Sequence, residues 1–139
     1  MKKRVTVIVE RGKDGYYSCF VEDELPGCGL MGYGNTVDEA KSDLQVGYYE
    51  TNGFKAENGE ELLPELTYVY KYDMQPFFEQ FPWINVTKVA EIAGINPSLM
   101  RQYAAGITMV GQKQYDKIRR ALHKLSVEFA EATMRRYTP

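Results

Sequence analysis

Between Asn96 and Gln102 the sequence NPSLMRQ sets hydrogen-bonding side chains at helical spacing. Ser98, Arg101 and Gln102 stand three and four residues apart, and so share one face of a helix that Pro97 can start. Such a face can read base edges in the major groove of DNA. Ser98 and Gln102 would contact bases, and Arg101 a guanine or a phosphate. Asn96 and Leu99 belong to the same surface. Thr87 and Lys88, near the start of the preceding helical run, can hold the backbone and fix register without reading sequence.

Enzymatic chemistry finds less to work with. Metal-dependent phosphodiester cleavage needs several carboxylates converging from different strands. The first strand offers only Glu10 at its end, and Glu22, Asp23 and Glu24 sit together in a turn, where such a run is ordinarily solvated. The single histidine, His123, lies mid-helix beside Lys124 with no relay partner, which leaves Cys28 without a base. GCGLMGYG lacks the following Lys-Ser/Thr of a phosphate-cradling loop. No metal-ligand spacing occurs. The expectation is a binding protein with no cofactor and no metal, not an enzyme.

Two short helices must position the polar face. In VTKVAEIAGINPSLMRQYAAG, Val89, Ala90 and Ala93 form the inner set of the first helix, which Gly94 ends with a left-handed residue. Ile95 fills the turn, Asn96 caps the second helix, Met100 and Tyr103 point inward, and Gly106 closes it. The steep crossing and polar outer face make a helix-turn-helix. A longer helix is expected from about 111 to 136. Its seam of Tyr115, Ile118, Leu122, Leu125, Phe129 and Ala132 could pair with a second copy, or merely cover the helices before it.

The first half reads differently. RVTVIVE alternates, with Val5, Val7 and Val9 on one face, and RGKDG then YYSCFVE complete a hairpin. LMGYG is a short third strand. Thr36 and Glu39 have capping-box spacing ahead of a stripe at Val37, Ala40, Leu44 and Tyr48, and that helix is expected to end before Asn52-Gly53. ELTYVYKYD alternates again, with Leu66, Tyr68, Tyr70 and Tyr72 together. The fold class is α+β: a small β-β-β-α-β sheet domain, residues 1–73, followed by an all-α helix-turn-helix domain, residues 74–139. The boundary is placed where DMQPFFEQFPW changes the composition.

Charge divides along the same line. Residues 1–73 hold 8 Lys+Arg against 14 Asp+Glu, and residues 74–139 hold 9 against 5. An acidic half beside a basic half suggests two modules with different partners. The overall composition, 44% apolar and 26% charged, is that of an ordinary globular protein. The apolar run after Met-Lys-Lys-Arg is too short for a signal peptide or a membrane span. Two cysteines, expected to be reduced, fit a cytoplasmic protein with no membrane partner.

INVTKVAEIAGINPSLMRQYAAG resembles the phage-repressor or Xre-like helix-turn-helix, with Ile84, Val89, Ala90, Gly94, Ile95, Met100, Tyr103 and Gly106 at the core and turn positions. Val86 and Ala104 depart from the glutamine and acidic residue common there. Residues 5–72 resemble the HicB antitoxin family through Asp14, Gly15, Tyr16, the LPGC run Leu25–Cys28, Gly34, Thr36, Glu39 and Ala40. The resemblance implies a partial ribonuclease-H-like domain that binds a HicA-type mRNA-cleaving toxin, and a second domain that represses its own operon by binding operator DNA. A toxin that grips RNA would be basic, so the implied contacts are Asp14, Tyr16 and Phe20 on the hairpin and the acids Glu22, Asp23 and Glu24. A homodimer would supply two half-site readers, and a tetramer of two such dimers is the alternative assembly. The competing reading is an orphan regulator whose sheet domain serves dimerisation or ligand binding.

Overall fold

The computed structural model describes residues 2–139, in two compact units that part between Phe81 and Pro82. Among the described residues the fold is mixed, with a four-stranded sheet and five helices. Among the described residues no helix is long and apolar enough to cross a membrane.

The first unit begins with strands β1 (Lys2–Arg11), β2 (Tyr17–Val21) and β3 (Met31–Gly34), each antiparallel to its predecessor. Helix α1 (Val37–Glu57) then carries the chain back over one face, and β4 (Glu65–Tyr72) pairs parallel with β1, giving the order β3-β2-β1-β4. Its 21 residues span about 31 Å, enough to return along a strand of β1's length. The alternation read in the sequence sets the layers. Val5, Val7 and Val9 of β1 and Cys19 of β2 are buried beneath Val37, Ala40 and Leu44 of α1, and Tyr68, Tyr70 and Tyr72 of β4 pack on that core.

Thr36 caps α1 as its spacing predicts: its Oγ1 accepts the Glu39 N–H at 3.1 Å, and the Glu39 carboxylate accepts the Asn35 N–H at 2.7 Å. The helix does not stop at Asn52-Gly53. An exposed glycine there costs about 1 kcal/mol, and packing on both sides outweighs it. Asn52 Oδ1 accepts the Leu63 N–H at 2.8 Å, and the buried Lys55 donates to the Pro26 carbonyl at 3.1 Å. Termination comes at Asn58, whose amide donates to the Phe54 carbonyl at 2.8 Å.

A close approach dictates the glycines of β3. A Cβ on Gly32 would strike the Ala40 carbonyl oxygen and the Leu44 nitrogen, and one on Gly34 would lie 2.8 Å from the Ala40 nitrogen. These contacts are with helix backbone, which has no rotamer by which to yield.

Helix α2 (Met74–Gln80) corrects the boundary at residue 73. Phe77 and Phe81 pack edge-on against Tyr72 at 6.0 and 5.7 Å, and Gln75 donates to the Tyr17 hydroxyl at 2.8 Å. The aromatic segment therefore completes the sheet unit. The units carry 8 Lys+Arg against 15 Asp+Glu, and 9 against 4, so the charge contrast sharpens at the observed boundary.

Cys19 lies fully buried, and burial pushes its thiol up to about 11, with Lys41 pulling the other way. Lys41 sits 4.1 Å over the Tyr70 ring and donates to the Tyr72 hydroxyl at 2.7 Å. The unfolded thiol ionises near pH 8.5. The contribution to stability is therefore complete below that pH and is lost progressively up to about pH 11, a loss of order 3 kcal/mol. The urea midpoint should fall across this range. At pH 7.5 iodoacetamide should modify Cys28 and spare Cys19 until the chain unfolds. Equal labelling rates would contradict this packing.

Candidate functional site

The second unit is built from α3 (Val86–Ala93), α4 (Pro97–Ala104) and α5 (Gln112–Glu131). Local chemistry fixes the first two. Asn85 Oδ1 accepts the Lys88 N–H at 3.1 Å, and Gly94 ends α3 at φ 72°, the left-handed conformation glycine adopts without a Cβ penalty. Asn96 Oδ1 accepts from the Ser98 and Leu99 backbone at 2.9 and 3.4 Å, and Pro97 occupies the first turn. Val89, Ala90, Ile95, Met100 and Tyr103 are buried between the elements, with Ile118 and Ala121 of α5. Ala90 is fully buried, so a larger side chain there would force α3 away from its neighbours.

What remains outside is the polar set. Ser98, Arg101 and Gln102 are exposed along one side of α4, and Leu99 is half-buried. Arg101 Nη2 donates to Ser98 Oγ at 3.2 Å, and Thr108 Oγ1 donates to Gln102 Oε1 at 2.8 Å. Asn96 is on the same surface, with its carbonyl oxygen committed to the cap. Thr87 and Lys88 are exposed on the first turn of α3, and Lys88 Nζ lies 3.1 Å from Glu91. An exposed pair of that kind is worth little and can be exchanged for a phosphate. The seven residues expected from the sequence thus fall on α3, on α4 and at its cap. Thr108 was missed, because it lies in the loop beyond Gly106 and its partner is six residues back.

Helix α5 is shorter than expected. It ends at Glu131, capped by Ala132, rather than near residue 136, because the residues from Ser126 onward are exposed and no packed face sustains further turns. Ile118 is buried and Leu122 and Leu125 half-buried, while Tyr115 and Phe129 are exposed, with Phe129 stacked on Trp83 at 6.1 Å.

The six acidic and aromatic residues of the first unit do not form one patch. Asp14 accepts the Tyr16 N–H at 3.0 Å at the hairpin end, and Tyr16 is 51% exposed. Glu22, Asp23 and Glu24 lie beyond the other end of β2, about 20 Å away along the strand. Phe20 is half-buried between them, on the sheet face opposite α1. Nor is the acidic run uniformly solvated. Asp23 Oδ1 accepts the Thr6 N–H at 2.8 Å and prolongs the β1–β2 ladder with a side chain. Asp23→Ala should therefore cost about 1–3 kcal/mol in urea unfolding, and Glu22→Ala and Glu24→Ala less than about 0.5. Equal effects from all three would remove Asp23's structural role.

A groove of about 650 Å³ lies instead beside β3 and α1, lined by Tyr16, Tyr33, Asp38, Glu39, Asp43 and Val46. Asp43 accepts the Tyr33 N–H there at 2.8 Å, so this acid also ties the strand edge to the helix. Among the described residues no group of three His, Cys, Asp or Glu side chains could hold a metal ion, and His123 is exposed.

No family model, curated protein or solved structure matches the chain. Its functional reading rests on the residues themselves.

Proposed function

We propose that the protein is a two-module antitoxin and transcriptional repressor of the HicB kind. The second unit is an all-α helix-turn-helix domain that binds operator DNA. The first is a partial ribonuclease-H-like domain that binds and neutralises a HicA-type mRNA-cleaving toxin. The observation that carries the DNA half is the doubly capped α3–turn–α4 unit, with Met100 and Tyr103 inward and Ser98, Arg101 and Gln102 outward. The unit's surplus of 9 Lys+Arg over 4 Asp+Glu supports it, since phosphate contacts supply most of the affinity. Asn96 to Gln102 enters the major groove, and Thr87 and Lys88 hold the backbone. The protein works by binding, in the cytoplasm, without catalysis or cofactor.

One such unit covers little DNA, so a two-fold homodimer, alone or as half of a tetramer, presents two readers. The exposed Tyr115 and Phe129 on α5 supply an apolar face for it. Light scattering at micromolar concentration should give at least twice the chain's 15.9 kDa, and a monomer with and without DNA would defeat this assembly.

The toxin half rests on the acidic surplus of the first unit and on its exposed tyrosines, Tyr16 and Tyr33. The separation of Asp14 and Tyr16 from Glu22–Glu24 favours a second reading, an orphan regulator whose sheet serves dimerisation or a ligand. Co-expression with a toxin encoded beside the gene decides between them. The antitoxin restores growth and forms a complex that survives co-purification, whereas the orphan regulator does neither.

A further inference from the structure

We infer that the outward face of α4 offers chiefly hydrogen-bond donors, its acceptors being engaged within the protein, and that it therefore selects guanine over adenine at the base pair facing Gln102. This rests on the DNA-binding reading above and adds what the site reads. The free amide of Gln is the usual bidentate partner of adenine, donating to N7 while its carbonyl accepts from the N6 amino group. Here that carbonyl oxygen is engaged by Thr108, whose hydroxyl donates to it at 2.8 Å. Gly106 at φ 75° turns the chain after α4, and Ile107 N–H donates to the Gln102 backbone carbonyl at 3.0 Å, so the loop bearing Thr108 folds onto Gln102.

The neighbours follow the same rule. Arg101 has donors and no acceptor. Ser98 Oγ accepts from Arg101 at 3.2 Å, which leaves its O–H as the group to offer outward. The Asn96 carbonyl is committed to the helix cap. Each acceptor on this face thus already holds at least one hydrogen bond from within the protein. In the major groove guanine offers two adjacent acceptors, N7 and O6, whereas adenine sets a donor beside its one acceptor, and cytosine offers a donor. A donor-rich face meets guanine without conflict. Thr108 is then a positioning residue that acts through Gln102.

The test is selection of duplexes from a random DNA pool by the full-length protein, followed by titration of the enriched duplex. The base pair facing Gln102 is the one at which Gln102→Ala loses discrimination. Wild type should prefer guanine over adenine there by about tenfold, within the range one good base contact provides. Thr108→Val should release the carbonyl and cut the preference at least fivefold, by letting adenine bind. Thr108→Ser, which keeps the hydroxyl, should retain it, and melting curves establish that all variants are folded. Adenine enriched by wild type at that position, or a preference unchanged in Thr108→Val, overturns the inference while the DNA-binding reading stands. A pool that yields no enriched sequence defeats both.

Discussion

Gly32→Ala should unfold the sheet unit at temperatures where the parent is intact. The added methyl meets the Ala40 carbonyl and the Leu44 nitrogen, with Leu44 Cα at 2.9 Å, so α1 must lift from β3 along its first turns. Overpacking a core with a flexible neighbour costs about 1–3 kcal/mol, and a backbone neighbour places this change at the upper end or beyond. A loss of about 3 kcal/mol lowers the melting temperature of a unit this size by more than about 10 °C. Gly53→Ala is the matched control. Its Cβ meets nothing within 4 Å about one turn before the end of α1, so the same substitution should be stabilising by up to about 1 kcal/mol. Thermal melts that move the two variants alike would show that α1 does not sit on β3 as described.

That pair of glycines marks where sequence reasoning ends. Alternation placed Val5, Val7 and Val9 inward because a strand's two faces are fixed by a period of two, and no knowledge of the partner is needed. The requirement for glycine at 32 and 34 comes from a helix backbone lying over β3, which no local pattern reports. The same division explains the other differences. Asn52-Gly53 has the local signature of a helix stop, and contacts from Leu63 and Pro26 override it. Phe77 and Phe81 follow a change in composition, and packing on Tyr72 assigns them to the sheet unit. The α3–turn–α4 unit was legible almost entirely, because Gly94, Asn96 and Pro97 act within four residues of where they stand. Asp23 and Thr108 were not, since their hydrogen-bond partners, Thr6 and Gln102, lie outside that local window.

The second large effect is expected at the proposed reading face. Arg101→Ala and Gln102→Ala should each weaken binding to the operator by about 1–3 kcal/mol, the range for a good bidentate base contact. The two side chains are adjacent and Arg101 also holds Ser98 at 3.2 Å, so the double variant need not be additive. Both changes remove exposed atoms and should leave the fold unaltered. Lys88→Ala should behave differently, weakening specific and non-specific binding alike and reducing the salt slope by about 1. Fluorescence anisotropy on operator and scrambled duplexes separates these patterns. A Gln102→Ala protein that keeps full affinity and discrimination would exclude α4 as the reading helix.

The central claim is that this chain recognises specific DNA through α3 and α4. Its most direct test is titration of the full-length protein, at physiological salt, onto the DNA upstream of its own coding sequence and onto a scrambled duplex of equal length, with footprinting of the bound species. Specific sites are bound about 10³-fold or more tightly than non-specific DNA. The account predicts that preference, with two protected half-sites about one helical turn, or a whole number of turns, apart. Equal affinity for the two duplexes, with no footprint, would contradict it.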